Sequence, residues 1–254
     1  ANLYAAPSGW FMPGAPDERL FPRAAWARAL RKAALRPYGP ASGYANYAGD
    51  PALRAALAVR LAADRGLMVS PEQILVVSSA QAAFTLLAQV LAEPGDRALV
   101  ESPGYAGARA AFAAAGLEPA ALPVDDAGAD IGRVNGPACL AYVTPSNQYP
   151  MGVRMALHRR EALAGWARRS GAWIVEDDYD GEFHWRGRAV TTLQSIAPDV
   201  TLYVGSAAKS LMPALRLGWI AAPEALVAPL REAIRNLGLG ANLHAQAAFE
   251  AFVE

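Results

Sequence analysis

The chain has 254 residues, 54% of them hydrophobic, and 23 basic side chains balance 23 acidic ones to a formal net charge of zero. That is enough apolar material for one large α/β domain or two smaller ones, and it lacks the basic footprint of a nucleic-acid surface. A single cysteine, Cys139, excludes a disulfide within the chain; with no secretory leader pattern and no apolar run long enough to cross a bilayer, a cytoplasmic location is expected.

Residues 1–22 are rich in Pro and Gly and read as an irregular arm. Phe21-Pro22 opens a helix with Ala24, Trp26, Ala27, Leu30 and Ala34 at helical spacing. A loop over 37–50 carries three tyrosines, Tyr38, Tyr44 and Tyr47, and Pro51 starts a helix over 52–64 that Gly66 ends. Strands and helices then alternate: strand 74–77, helix 80–92, strand 97–100, helix 105–115, strand 118–122, strand 138–143, helix 157–169 and strand 172–175. Strands 201–204 and 217–221 follow, then helices 224–237 and 243–253. The run 138–143 has no polar alternation, as in a strand buried on both faces. The alternation predicts an α/β fold with a mostly parallel sheet and helices on both faces, where ligands bind outside the carboxyl ends of the strands.

Five of those strand ends carry chemistry. After 201–204 come small residues, then Lys209 and, seven residues later, Arg216. A desolvated lysine has a lowered pKa and attacks an aldehyde; an arginine fork suits a phosphate. The pair points to pyridoxal phosphate, against the plainer reading of a lysine reaching solvent from a loop. Ser78-Ser79-Ala80-Gln81 opens a helix whose N–H groups suit a phosphate, or is an ordinary serine cap. In Glu101-Ser102-Pro103-Gly104-Tyr105 the tyrosine is placed to lie on a planar ring, or simply packs in a turn. In Thr144-Pro145-Ser146-Asn147-Gln148-Tyr149, Asn147 either contacts a ligand or closes the turn. Glu176-Asp177-Asp178-Tyr179-Asp180 ends an apolar strand in acids that need partners. An aspartate there holds a proton on a pyridine nitrogen, and Tyr179 reaches the ring's phenolic oxygen from the same side. Asp178, Asp180 and Glu182 are also oxygen ligands, without the spacing of an EF-hand. Ser206-Ala-Ala-Lys209 spells the S-x-x-K of β-lactamases, but the companion S-D-N and K-T-G are missing and the motif follows a strand; His158, His184 and His244 form no hydrolase or zinc pattern.

In this order the motifs, with Thr-Pro-Ser-Asn-Gln-Tyr-Pro-Met-Gly and Lys-Ser-Leu-Met-Pro-Ala-Leu-Arg, resemble fold-type I pyridoxal-phosphate enzymes. More narrowly, the sequence resembles the aminotransferase-like domain of the MocR subgroup of GntR-type transcription regulators. The resemblance implies a seven-stranded-type sheet and a Schiff base between Lys209 and the cofactor. It implies Asp177 on the pyridine nitrogen, Tyr179 on the ring oxygen and Tyr105 stacked on the ring. Ala80, Gln81, Ser206 and Arg216 would hold the phosphate, and Asn147 is an indirect candidate for ring contact. Tyr44 matches a tyrosine that reaches the neighbouring subunit's phosphate, which implies a homodimer. Ser79, Ala208 and Tyr149 depart from the residues common in the family.

The implied division is an arm and helix over 1–37, a cofactor-binding large domain over 38–238, and over 239–254 the start of a mostly missing C-terminal small domain. With no winged helix-turn-helix ahead of it either, the sequence reads as a piece of a longer protein. Two functions are then expected to compete. One is a regulator's sensing domain for a small amine or amino acid, reaching DNA only through a domain outside this chain and no membrane. The other is a working aminotransferase passing an amino group from an amino acid to a 2-oxo acid.

Overall fold

The computed structural model describes Gly14, residues 16–39, Gly43, and residues 47–183 and 191–253. Most of the arm, Tyr44 and His184 therefore lie outside the described residues.

Helices α1 (Arg23–Leu35) and α2 (Pro51–Arg65) come first. The start of α2 is set by Asp50, whose side chain accepts from the Ala52 N–H, and by Pro51 at the first position; its end is set by Gly66 in the left-handed region at φ 72°. Strand β1 (Ile74–Val77) leads into α3 (Ala80–Leu91), capped by the Ser79 hydroxyl on the Ala82 N–H. Next come β2 (Arg97–Ser102), α4 (Ala106–Ala114), β3 (Glu118–Asp125), the two-residue β4 (Gly128–Ala129) and β5 (Leu140–Val143). Then follow α5 (Leu157–Ser170), β6 (Trp173–Asp177), the short α6 (Leu193–Ile196), β7 (Thr201–Ser206) and β8 (Gly218–Ala221). Helices α7 (Glu224–Leu237) and α8 (Leu243–Val253) close the chain.

One eight-stranded sheet runs in the order β1-β8-β7-β6-β5-β2-β3-β4. The four pairings among β3, β2, β5, β6 and β7 are parallel, whereas β8 lies antiparallel between β1 and β7, and β4 is antiparallel to β3. The sheet is thus the expected mostly parallel one, with one reversed strand inside it and a short addition at its edge. Strands β1, β5 and β8 are buried at every position, which explains their unbroken apolar sequences.

Helices cover both faces. One face packs Phe84, Leu87, Phe112, Leu230 and Ile234 against Tyr142, Val175 and Val204. The other packs α1, α2 and α8 against Tyr203 and Trp219, and α5 against Leu99, Ala141 and Ile174. Trp26 of α1 meets Phe252 of α8 edge-on, with centroids 6.0 Å apart. The carboxyl ends of β1, β2, β5, β6 and β7 and the amino end of β8 share one edge, so the loops carrying the motifs converge there.

Candidate functional site

That edge holds a cavity of about 610 Å³. Eight of the ten residues singled out in the sequence line it: Ala80, Gln81, Tyr105, Asp177, Tyr179, Ser206, Lys209 and Arg216. Asn147 is not a lining residue; it stands behind Tyr179, and Tyr44 lies outside the described residues.

At one end the amino terminus of α3 meets β8. An added Cβ on Gly218 would lie 2.9 Å from the Ser79 carbonyl carbon and 3.0 Å from the Ala80 nitrogen, so only glycine lets the strand pass so close to the helix start. Arg216 reaches the same place, its Nη2 3.4 Å from Ser79 Oγ. It is the only non-glycine residue among those described with a positive φ, 52°. Such a conformation is sparsely populated and persists where the surroundings enforce it. Helix N–H groups, two serine hydroxyls and a guanidinium make an anion-binding end. The Gln81 side chain is occupied elsewhere. Its Nε2 donates to the Gly107 carbonyl at 2.8 Å, and its Oε1 accepts from the Tyr105 hydroxyl at 3.4 Å. Tyr105 is further held by Gly107, where a Cβ would sit 2.4 Å from the tyrosine ring.

At the centre stands Asp177. Burial first of all pushes its carboxyl up to about 7, against a hydrogen bond from Tyr142 that pulls it down. Tyr142 Oη donates to Oδ2 at 2.5 Å, while Oδ1 is buried with no partner. Lys209 projects into the same cavity; desolvation lowers its pKa, opposed by Asp177 and Asp180, and its Nζ donates to the Gly14 carbonyl at 2.7 Å. Tyr179 donates to the Asn147 carbonyl at 3.0 Å, and Asn147 Nδ2 donates to Asp180 Oδ2 at 2.6 Å. The side chain of Asn147 therefore braces Tyr179 and Asp180.

The consecutive acids separate by strand parity. Asp177 faces the cavity. Glu176 accepts from the Leu193 and Gln194 N–H groups at 2.8 and 2.7 Å, capping α6, and burial pushes it up to about 7. Asp178 accepts from Arg65 Nε at 2.7 Å, from Arg65 Nη2 at 2.8 Å and from the Tyr203 hydroxyl at 2.7 Å. With Asp178 and Asp180 engaged in this way, no group of three metal-ligating side chains gathers among the described residues. Ser206 closes β7 rather than opening a helix, unlike the serine of an S-x-x-K hydrolase.

Four residues received no role at the site from the sequence alone. Tyr142 hides in an apolar strand, and Arg65 reads as a helix-terminal cation. Glu101 is buried and accepts from the Thr144 N–H, the Thr144 hydroxyl and Gln148 Nε2 at 3.1, 2.5 and 3.1 Å, which ties the loop before Tyr105 to the loop after β5. Tyr149 lines the cavity edge-on to both Tyr105 and Tyr179, at 6.1 and 6.2 Å.

Residues 15–254 match the family model described as aminotransferase class I and II. The chain is 39% identical over 245 residues to "Probable rhizopine catabolism regulatory protein MocR" of Rhizobium meliloti, covering 96% of this chain and 50% of that protein. It is 35% identical over 213 residues to "HTH-type pyridoxine biosynthesis transcriptional regulator PdxR" of Corynebacterium glutamicum, covering 83% and 46%. The chain thus spans about half the length of the curated relatives it matches. Among solved structures it resembles LysN, the α-aminoadipate aminotransferase of Thermus thermophilus complexed with N-(5'-phosphopyridoxyl)-L-leucine. There the TM-score is 0.84 at 26% identity, over 93% of this chain and 62% of that one.

Proposed function

Because the chain belongs to the aminotransferase class I and II family, we propose that it is the effector-sensing, pyridoxal-phosphate-binding part of a MocR-type transcription regulator. One observation above the rest supports a cofactor here: Asp177 lines the cavity and keeps one buried oxygen, Oδ1, without a partner. A buried carboxylate oxygen left unpaired is costly, and a pyridinium N–H satisfies it. The residues present fit the group: a lysine with lowered pKa for its aldehyde, and a helix start with Arg216 and Ser206 for its phosphate.

Pyridoxal phosphate, when bound, supplies an aldehyde for amines and a cationic ring that withdraws electrons. To hold it, Lys209 Nζ would provide the amine and give up its bond to the Gly14 carbonyl. Asp177 would hold a proton at the ring nitrogen, Tyr105 would lie against the ring, and Tyr179, which Asn147 braces, would meet the phenolic oxygen. In the proposed regulator the effector is a small amine or amino acid, two copies pair with Tyr44 reaching the partner site, and DNA contact belongs to a winged helix-turn-helix domain. The proposed large domain covers 38–238. Among the described residues no helix is long and apolar enough to cross a membrane.

Catalytic transamination is the second reading, favoured by the likeness to LysN. Lys209 would then carry the substrate Cα proton as general base. Mixing the full gene product with pyridoxal phosphate and reducing with borohydride tests the common premise: a covalent link to Lys209 is expected, absent in Lys209→Ala. A wild-type protein that takes up no cofactor overturns it. Turnover with amino acid and 2-oxo acid separates enzyme from regulator.

A further inference from the structure

Tyr142 is a fully buried tyrosine in the middle of a strand. In register it stands beside Val175 of β6, so Asp177, two residues on and on the same face, is a diagonal neighbour within reach of a tyrosine hydroxyl. Phe84 and Phe112 hold the ring edge-on, with centroids 5.2 and 6.2 Å away. Its hydroxyl donates 2.5 Å to Asp177 Oδ2. Desolvation, then Asp177, push that phenol well above its ordinary range, so it stays the donor at any working pH. The carboxylate is thereby fixed in rotation, one oxygen tied to β5 and the other left over. The other charged and titratable groups that act on Asp177 are Glu101 of β2 and, from the opposite face, Asp178 just after β6, which disfavour its charge, Lys209 after β7, which favours it, and Tyr179, whose own ionisation it opposes.

We propose that Tyr142 is a positioning residue for the cofactor: its hydroxyl favours the ionised form of Asp177 and turns the carboxylate so that Oδ1 meets the ring nitrogen. The inference rests on the cofactor reading above. Below the pKa of Asp177 the carboxyl and the cofactor ring each bring a proton, and only one fits between them, so affinity falls with falling pH. Removing the hydroxyl takes away a hydrogen bond to a charged group and moves that fall to higher pH.

The test is Tyr142→Phe in the full protein, with the pyridoxal phosphate dissociation constant measured from pH 6 to 9 and borohydride trapping at saturating cofactor. Roughly ten-fold weaker binding at pH 7 is expected, with the midpoint of the pH profile raised by about one unit and trapping on Lys209 retained. Phe112→Leu, which alters packing against the same ring but not the hydroxyl, is expected to leave the midpoint in place. Wild-type affinity and midpoint in Tyr142→Phe, or an equal shift in Phe112→Leu, overturns the proposal while leaving the cofactor reading intact. No trapping in the wild type would instead overturn the cofactor reading and this proposal with it. Should Tyr142→Phe fail to fold, fluorinated tyrosine at 142, a stronger donor of nearly the same shape, is expected to lower the midpoint; an unmoved or raised midpoint overturns the proposal.

Discussion

Replacing Arg65 by methionine perturbs the fold at the back of the site. The Arg65 side chain is 3% exposed and that of its partner, Asp178, 0% exposed, so the ion pair is desolvated on both sides. Arg65→Met leaves Asp178 with the Tyr203 hydroxyl as its remaining side-chain donor and also removes the 2.8 Å bond from Nη2 to Ser146. Breaking one side of such a pair costs about 3–5 kcal/mol, because a charge stays buried without compensation. For a chain of this size each kcal/mol lowers the melting temperature by about 2–4 °C, so a fall of roughly 6–20 °C is expected. The assay is urea denaturation at neutral pH, backed by a thermal melt. Arg65→Met/Asp178→Leu is expected to recover most of the loss, since an apolar pair of similar volume removes the uncompensated charge. A single variant within about 1 kcal/mol of wild type, or a double variant no better than the single, would refute the reasoning.

Two further outcomes concern the cofactor edge and the buried acids. Gly218→Ala forces a Cβ against the backbone at Ser79 and Ala80, which cannot yield as a side-chain tip would. A loss of about 1–3 kcal/mol of stability is expected, together with weaker cofactor binding in a dialysis assay; unchanged values of both would show that the helix start is not held by this contact. Burial pushes Glu101, Glu176 and Asp177 each up to about 7. Their folded values exceed the unfolded ones near 4, so the folded chain binds more protons between those limits. The contribution is therefore complete below about pH 4 and is lost as pH rises through 7. The urea midpoint of the cofactor-free protein is expected to fall between pH 5 and 8, with a shallower fall in Glu101→Gln; a rising midpoint would contradict the burial argument.

Much of this was legible in the residues. The bounds of β1, α7 and α8 coincide with the expected 74–77, 224–237 and 243–253, because an apolar run or an amphipathic period fixes them locally. The direction of β8 was not legible, since Gly-Trp-Ile-Ala is equally apolar either way and only its pairing with β1 and β7 decides it. Neither β4 nor α6 offered a period, having two and four residues. At the site, turn chemistry exposed the loops but not the groups behind them. Finding Tyr142 requires the register of β5 on β6, and finding Arg65 requires knowing that the end of α2 packs beneath Asp178. Asn147 shows the same limit: its loop was readable, while its use as a brace for Tyr179 and Asp180 depends on where β6 ends.

The run Glu176-Asp177-Asp178 shows how a costly sequence becomes a tool. Three acids at the end of a buried strand repel one another and resist burial, and each of these is 6% exposed or less. Alternation sends the outer two to the opposite face from the middle one. Glu176 is fixed by two backbone N–H groups and Asp178 by a guanidinium and a phenol. Both anchors are structural, and both sit one residue from Asp177. The backbone of Asp177 is therefore pinned on either side, and Tyr142 fixes its side-chain rotation. What remains is one carboxylate oxygen whose position the fold determines and whose hydrogen bond the fold does not supply. Preorganisation of this kind concentrates the unmet interaction at a single atom, so the energy of satisfying it goes to a ligand that carries a donor there.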